Sequence, residues 1–247
     1  MIEVEQYTKL YGDTVAVNAL SFTVPAGEVL GLVGPNGAGK TTTLRALAGI
    51  LQPTSGTIRI AGIDLKTHPV QAKAHLAFIP DEPQLFDYLT VTEHLQFVAR
   101  LYGVTDAGPR IPTLLEELEL TPKANALPPE LSRGMKQKLA IACGLLHHPS
   151  AVLLDEPLTG LDPVGIRRMK ETILARAREG AAVVLSSHLL HLVEELCTRI
   201  LVIRRGQAVA IGTIADIVAA RPELQGRTLE EMFIALTGDD ITAQASP

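Results

Sequence analysis

A glycine-rich loop between a predicted strand and a predicted helix constrains this chain more than any other feature. The run Val29–Val33 is apolar throughout, as expected of a strand that is buried on both faces. Residues 34–41 then have the spacing Gly-x-x-x-x-Gly-Lys-Thr, and apolar residues at helical spacing follow them as far as Leu51. This strand–loop–helix order predicts an α/β fold with a site for phosphate groups.

The loop carries side chains suited to a nucleoside triphosphate and its metal ion. Its glycines let backbone N–H groups face phosphate oxygens, and the helix that begins near Lys40 adds the positive end of its dipole. We expect Lys40 to contact the β- and γ-phosphates, Thr41 to bind Mg²⁺, and Thr42 to reach the α-phosphate. The predicted nucleotide contacts here are Gly34, Pro35, Asn36, Gly37, Ala38, Gly39, Lys40, Thr41 and Thr42.

Two adjacent carboxylates follow a second apolar run. Asp155 and Glu156 come directly after a predicted buried strand at 151–154, and open α/β sheets bind their ligands at such strand ends. We expect Asp155 to hold Mg²⁺ through water, and Glu156 to orient or deprotonate the water that attacks the nucleotide. The alternative is a solvated acidic turn, which the phosphate loop elsewhere in the chain disfavours.

The remaining pattern alternates strands with helices, which favours an α/β core. Strands are predicted within 1–33 and at 56–60, 151–154, 182–185, 200–203 and 208–211. Three helices are predicted between about 85 and 147: one capped by Thr90 or Thr92, one over 113–120, and one that Ser132 opens. A last helix is predicted over 229–236.

Composition and charge exclude several other kinds of protein. The net charge is −5, from 22 Lys and Arg against 27 Asp and Glu, which argues against nucleic acid as the main partner. No apolar run approaches the roughly 18 residues of a membrane span, and the first residues lack the pattern of a signal peptide. Two cysteines form no metal or disulfide framework, so we expect a reducing cytosol.

Taken together, these motifs resemble those of the ATP-binding cassette (ABC) ATPases. Residues 131–135, Leu-Ser-Arg-Gly-Met, match the family signature Leu-Ser-Gly-Gly-Gln, residues 158–162 resemble its D-loop, and Ser187-His188 resembles its switch histidine. The resemblance covers residues 1 to about 237 and implies a P-loop NTPase core with a mainly parallel sheet, an N-terminal antiparallel β subdomain and an inserted α-helical subdomain. The implied ranges are about 1–80 and 148–215 for the β subdomain and core, 81–147 for the helical subdomain, 227–237 for a C-terminal helix and 238–247 for a flexible tail.

The signature turn offers a second anion site, because Ser132 and Gly134 lie at a predicted helix N-terminus. One nucleotide has one triphosphate, and the resemblance implies a head-to-tail dimer that holds each ATP between the Lys40 loop of one chain and Ser132 of the other. The implied contacts across the dimer are Ser132, Arg133, Gly134, Met135 and Asp162. For Ser132, the alternative is a plain helix cap.

The same resemblance assigns two further residues. His188, 32 residues after Glu156, would contact the γ-phosphate and act with Glu156 and Lys40 in catalysis. Tyr11, 23 residues before the loop, matches the aromatic residue that stacks on adenine. A tyrosine with a purely structural role is the alternative.

Three residues depart from the family pattern. Asp81 stands where the family usually has a Gln that reaches Mg²⁺, so we expect Asp81 to be a metal ligand, with a surface turn as the alternative. Arg133 and Met135 replace a Gly and the Gln of the signature. Because Met135 lacks the amide, weaker binding of ATP across the dimer is a possible consequence.

The resemblance implies the ATP-hydrolysing subunit of a transporter, most similar to bacterial exporters of drugs, peptides or antibiotics. It implies Mg²⁺ and ATP, a second ABC subunit (a homodimer is expected), a separate integral-membrane permease, and a cytoplasmic position on the inner face of the membrane. The alternative is a soluble ABC ATPase that remodels a ribosome, DNA or a protein complex. The signature begins 97 residues after the start of the loop, which leaves no room for the long coiled-coil insertion that such proteins carry.

Overall fold

The computed structural model describes residues 1–238, which form two β-sheets and the helices that cover them. These residues form ten strands: β1 Ile2–Tyr11, β2 Thr14–Val24, β3 Val29–Val33, β4 Ser55–Ile60, β5 Ile63–Asp64, β6 Leu76–Ile79, β7 Ala151–Asp155, β8 Ala182–Ser186, β9 Arg199–Arg204 and β10 Gln207–Gly212. They also form nine α-helices: α1 Lys40–Leu47, α2 Pro69–Ala74, α3 Val91–Tyr102, α4 Ala107–Glu117, α5 Arg133–Leu145, α6 Pro163–Arg178, α7 Leu190–Leu196, α8 Ile214–Ala220 and α9 Leu229–Thr237. The predicted α/β class is confirmed.

The larger sheet places the functional loops along one edge. Its strand order is β10-β9-β3-β8-β7-β6, and all its neighbouring strands run parallel except β10 and β9. Every residue of β3, β7 and β8 is buried, as their apolar sequences predict. Because parallel strands share a direction, the segments that follow β3, β7 and β8 leave from the same edge.

The smaller sheet is antiparallel, with the order β2-β1-β4-β5. It contains the first strands of the chain and the predicted hairpin at 56–62. A backbone hydrogen bond of 2.8 Å from Asn18 N to Gly206 O ties β2 to the turn between β9 and β10. The two sheets therefore meet beside the loop that follows β3.

Three helices between residues 91 and 145 form the helical part of the molecule. Thr90 rather than Thr92 caps α3, because its hydroxyl accepts from Glu93 N and the Glu93 carboxylate accepts from Thr90 N. The prediction of a helix over 113–120 was wrong in its bounds, since α4 spans Ala107–Glu117 with Pro112 inside it. Burial of Ile111, Leu114 and Leu115 outweighs the cost of that proline.

The other predicted elements hold to within a few residues. Ser132 caps α5, β9 and β10 form the late hairpin, and α9 is the C-terminal helix. The tail predicted at 238–247 lies outside the described residues, apart from Gly238. No helix within residues 1–238 combines the length and the apolar character needed to cross a bilayer.

Candidate functional site

The phosphate loop connects the buried strand β3 to the first turn of α1. Gly39 occupies the N-cap of α1 with a φ of 107°, and α1 begins at Lys40. Lys40 Nζ donates to the carbonyl oxygens of Gly34 at 2.6 Å and Pro35 at 3.2 Å, so the ammonium folds back over the loop. The loop therefore encloses a cation at the positive end of a helix, as an anion site requires.

Gly34 is required because backbone from another strand touches it. A Cβ added at this position would lie 2.3 Å from the carbonyl oxygen of Ile203 on β9. No side chain larger than hydrogen fits there without moving one of the two strands. The conformation of the loop is thus fixed by the packing of the sheet behind it.

The first of the two predicted carboxylates is buried and held in place. Asp155 is the last residue of β7 and is 7% exposed, and its Oδ1 accepts a 2.6 Å hydrogen bond from Ser186 Oγ at the end of β8. Thr41, Asp81 and Asp155, the three predicted metal ligands, all border the groove of about 790 Å³ between the larger sheet and the helical part. Hydroxyl and carboxylate oxygens are the donors that Mg²⁺ prefers, so this set fits the ion.

The second carboxylate contacts the predicted switch histidine. Glu156 Oε2 lies 2.8 Å from His188 Nδ1 and accepts a 3.3 Å hydrogen bond from Ser187 Oγ. Glu156 also adopts a left-handed backbone conformation, with a φ of 50°. A non-glycine residue held there carries strain of order 1–3 kcal/mol, and six other non-glycine residues among those described also have a positive φ.

The loop and the carboxylates share one electrostatic environment. Burial lowers the pKa of Lys40 below its ordinary value, and the charges of Glu156 and Asp155 oppose that shift. His188 and residues 34–38 line a second cavity of about 620 Å³. The structure thus brings Lys40, Asp155, Glu156 and His188 together, although they lie on three separate segments of the chain.

The signature turn lies at the N-terminus of α5. Ser132 Oγ accepts a 3.2 Å hydrogen bond from Met135 N, which makes Ser132 the N-cap. A Cβ on Gly134 would lie 2.9 Å from the carbonyl oxygen of Gly160, so the turn packs directly on the loop before α6. Asp162 similarly caps α6, its Oδ1 accepting from Gly165 N at 2.9 Å. The roles of these residues across a dimer stay predictions.

Two residues assigned from the sequence, Asp81 and Tyr11, contact other side chains of the chain. Asp81 Oδ1 lies 3.2 Å from Arg133 Nη2, so this carboxylate has an ion-pair partner within the chain, and its role as a metal ligand stays a prediction. Tyr11 is 48% exposed, with Lys9 Nζ 5.2 Å from the centre of its ring. Its stacking on adenine also stays a prediction.

Ser186 and Ser187 were missed as site residues. Each donates a hydrogen bond to one of the two carboxylates, Ser186 to Asp155 and Ser187 to Glu156. A signal for both was present, because they follow the apolar run 182–185. The carboxyl end of that strand must reach the same sheet edge as β7.

Comparison with known proteins identifies the family. The family model described as "ABC transporter" matches residues 17–159. The ABC-type transporter ATP-binding protein EcsA of Bacillus subtilis is 31% identical over 97% of this chain and 98% of its own length. A match over nearly the whole of both chains shows that the similarity extends beyond the short motifs.

Two further relatives carry names that refer to drugs. The probable multidrug ABC transporter ATP-binding protein YbhF of Escherichia coli is 37% identical over 97% of this chain, which spans only 42% of the YbhF length. The linearmycin resistance ATP-binding protein LnrL of B. subtilis is 35% identical over 95% of this chain and 75% of its own length.

Solved structures agree with these matches. An ATP-binding subunit of an ABC transporter superimposes with a TM-score of 0.91 at 35% identity, covering 96% of this chain and 99% of its own. A dimeric ATP-binding cassette bound to ADP and Pi has the same fold, with a TM-score of 0.79 at 23% identity over 87% of this chain and 99% of its own. These similarities agree with the strand–loop–helix site and with the carboxylates after β7. This chain belongs to the ABC transporter family, as an ATP-binding protein of that family.

Proposed function

We propose that this chain hydrolyses ATP between two subunits and that the resulting opening and closing drives export through a separate membrane permease. The observation that carries the proposal is the convergence of Lys40, Asp155, Glu156 and His188 at one sheet edge. YbhF and EcsA are both named as transporter ATP-binding proteins, which favours a transporter over a soluble ATPase that remodels a ribosome, DNA or a protein complex.

The carboxylate of Glu156 has the position of a general base. In the proposed reaction, a water oxygen attacks the γ-phosphorus, the bond from that phosphorus to the β–γ bridging oxygen breaks, and Glu156 takes the water proton. The contacts of Glu156 Oε2 with His188 Nδ1 and Ser187 Oγ leave its other oxygen, Oε1, to orient the water. General-base catalysis contributes about 10²–10⁴-fold to rate.

Lys40 and the loop backbone bind the phosphates and stabilise the charge that the reaction moves onto them. Lys40 reaches the phosphates by exchanging its contacts with the Gly34 and Pro35 carbonyl oxygens. Thr41 and Asp155 would hold Mg²⁺, which supplies charge neutralisation at the β- and γ-oxygens when it is bound. Ser186 keeps Asp155 oriented toward that position.

The presence of two predicted anion sites in one chain supports the proposed dimer. The first is the loop at 34–41, and the second is the exposed N-terminus of α5, where Ser132 and Gly134 lie. A second copy of the chain, turned head to tail, would bring its signature turn to the nucleotide on the first. A bistable dimer that closes on the γ-phosphate is an established kind of switch.

The groove between the larger sheet and the helical part is the proposed docking site of the permease. Three aromatic rings and a leucine at the groove are at least 39% exposed: Phe86, Phe97, Leu101 and Tyr102. An exposed apolar patch of this kind marks an interaction site. A cytoplasmic segment of a permease seated there would also contact the loop that carries Asp81.

Membrane sedimentation from the native host tests the transporter proposal. Leu101→Glu places a charge in the groove, and Val70→Glu places one on α2, which lies outside it; the two side chains are 67% and 82% exposed. We expect the wild-type chain and Val70→Glu to sediment with membranes and to co-purify with one multi-span protein, and Leu101→Glu to lose both. Thermal unfolding of each variant checks that its fold is intact.

Two results would contradict the proposal. A wild-type chain that stays with ribosomes or DNA would favour the remodelling ATPase. Equal membrane association of wild type and Leu101→Glu would show that the groove is not the docking surface. In either case, phosphate release that is abolished by Glu156→Gln would still support the ATPase.

A further inference from the structure

Asp81 and Arg133 are charged residues at positions where the ABC pattern has uncharged ones, and the structure pairs them. Asp81 Oδ1 lies 3.2 Å from Arg133 Nη2, although 52 residues separate the two in sequence. Their side chains are 43% and 56% exposed, so the pair forms at the surface without burying either charge. The negative charge that Asp81 brings to the nucleotide edge is therefore compensated within the chain.

A second contact joins the same two segments one helical turn further along α5. Gln137 is 1% exposed, and its Nε2 donates to the carbonyl oxygen of Pro80 at 3.4 Å. Residues 133 and 137 are four apart, so they lie on the same face of the helix. That face of α5 therefore contacts the segment after β6 at two residues, Pro80 and Asp81.

The aliphatic part of Arg133 is confined by the loop before α6. A Cβ on Gly160 would lie 3.1 Å from Arg133 Cδ, so the stem packs on that loop while the guanidinium reaches Asp81. Within residues 1–238, the guanidinium of Arg133 makes one hydrogen bond, which Nη2 donates to Asp81 Oδ1. Its Nε and Nη1 groups remain as donors for a second anion.

We propose that Asp81 is a positioning residue for Arg133. It anchors one end of the guanidinium at the signature turn, and the other end binds the phosphates of the ATP that the second subunit holds. The inference rests on the head-to-tail dimer proposed above.

The test uses the full chain and a double-mutant cycle. Asp81→Asn, Arg133→Gln and the double variant are made in the Glu156→Gln background, and dimer formation is titrated with ATP. Asp81→Asn is expected to raise the ATP concentration at half-maximal dimerisation about two- to fivefold, the range that an exposed ion pair supports. In the Arg133→Gln background, the same change is expected to have no effect, because the residue that it positions is gone.

A matched control removes a different exposed ion pair. Glu195 pairs with Lys170 at 2.7 Å, and its side chain is 55% exposed. Glu195→Gln is expected to leave ATP-dependent dimerisation unchanged. With Glu156 intact, Asp81→Asn is expected to raise the KM for ATP about two- to fivefold, and Glu195→Gln is expected to leave it unchanged.

Hydrogen–deuterium exchange of residues 132–137 in the nucleotide-free chain tests the Asp81–Arg133 pair independently of dimer formation. Faster exchange in Asp81→Asn, but not in Glu195→Gln, supports the positioning role, and unchanged exchange overturns it. The role is also overturned if Asp81→Asn acts equally with and without Arg133, or if it raises the Mg²⁺ concentration needed for half-maximal turnover, which would make Asp81 a metal ligand. Failure of the Glu156→Gln chain to dimerise with ATP counts against the proposed dimer, whereas the exchange measurement still decides on the pair.

Discussion

The two predicted anion sites of the chain differ in how deeply they lie against the core. The loop at 34–41 follows a fully buried strand, and backbone behind Gly34 fixes its shape. The turn at 132–135 lies at an exposed helix end, where Arg133 depends on an ion pair at the surface. The first site is therefore shaped by the core of one chain, whereas the second, in the proposed dimer, would be completed by a second subunit.

The largest effect on activity is expected from replacing Glu156, the proposed general base at the first site. Glu156→Gln removes the general base and is expected to lower the rate of phosphate release about 10²–10⁴-fold at saturating ATP. ATP binding is expected to persist, because Lys40 and the loop backbone are unchanged. Glu223→Gln, at an exposed position, is the control. Wild-type turnover in Glu156→Gln would remove this carboxylate from the mechanism.

Alanine at two glycines tests whether backbone packing fixes the first site. In Gly34→Ala the new Cβ would lie 2.3 Å from the Ile203 carbonyl oxygen. We therefore expect the free energy of unfolding to fall by about 1–3 kcal/mol. ATP binding is expected to weaken at least about tenfold, because the loop must shift. Gly108 in α4 has nothing within 4 Å of its added Cβ. There alanine is expected to be neutral or to stabilise by up to about 1 kcal/mol. Chemical denaturation measures both, and equal losses would refute the contrast.

Two helix caps separate the structural role of Ser132 from its proposed contact with ATP. Ser132 and Thr90 each accept a hydrogen bond from a backbone N–H in the first turn of a helix. Replacing either by Ala is expected to cost about 0.5–2 kcal/mol of stability in thermal or chemical unfolding. Only Ser132→Ala is expected to raise the KM for ATP as well. The same KM in both variants would leave Ser132 as a plain cap.

The smallest effect is expected at Tyr11, another exposed side chain with an assigned role. Loss of stacking in Tyr11→Ala is expected to weaken ATP binding about two- to tenfold, and Tyr11→Phe is expected to retain it because the ring is kept. Isothermal calorimetry measures both affinities. An unchanged affinity for Tyr11→Ala would support the structural alternative.

Most of the core could be predicted because its signal is local. β3, β7 and β8 are continuous apolar runs, and Ser132 stands directly before a helical pattern, so the period of hydrophobicity alone indicates these elements. The same local rules misplaced α4, whose prolines obscured a helix held by burial. They also omitted α6, although its buried Gly165, Met169, Ile173 and Ala177 recur every fourth residue.

The family, the α/β class and the candidate residues of the phosphate loop could be predicted from the sequence, because they depend on local motifs in a fixed order. The contacts of Ser186 with Asp155, of Glu156 with His188 and of Asp81 with Arg133 became visible only in the folded chain. Each of these contacts joins residues 31 to 52 positions apart. Which distant side chains meet is set by strand order and helix packing, and no local pattern encodes the distance between them.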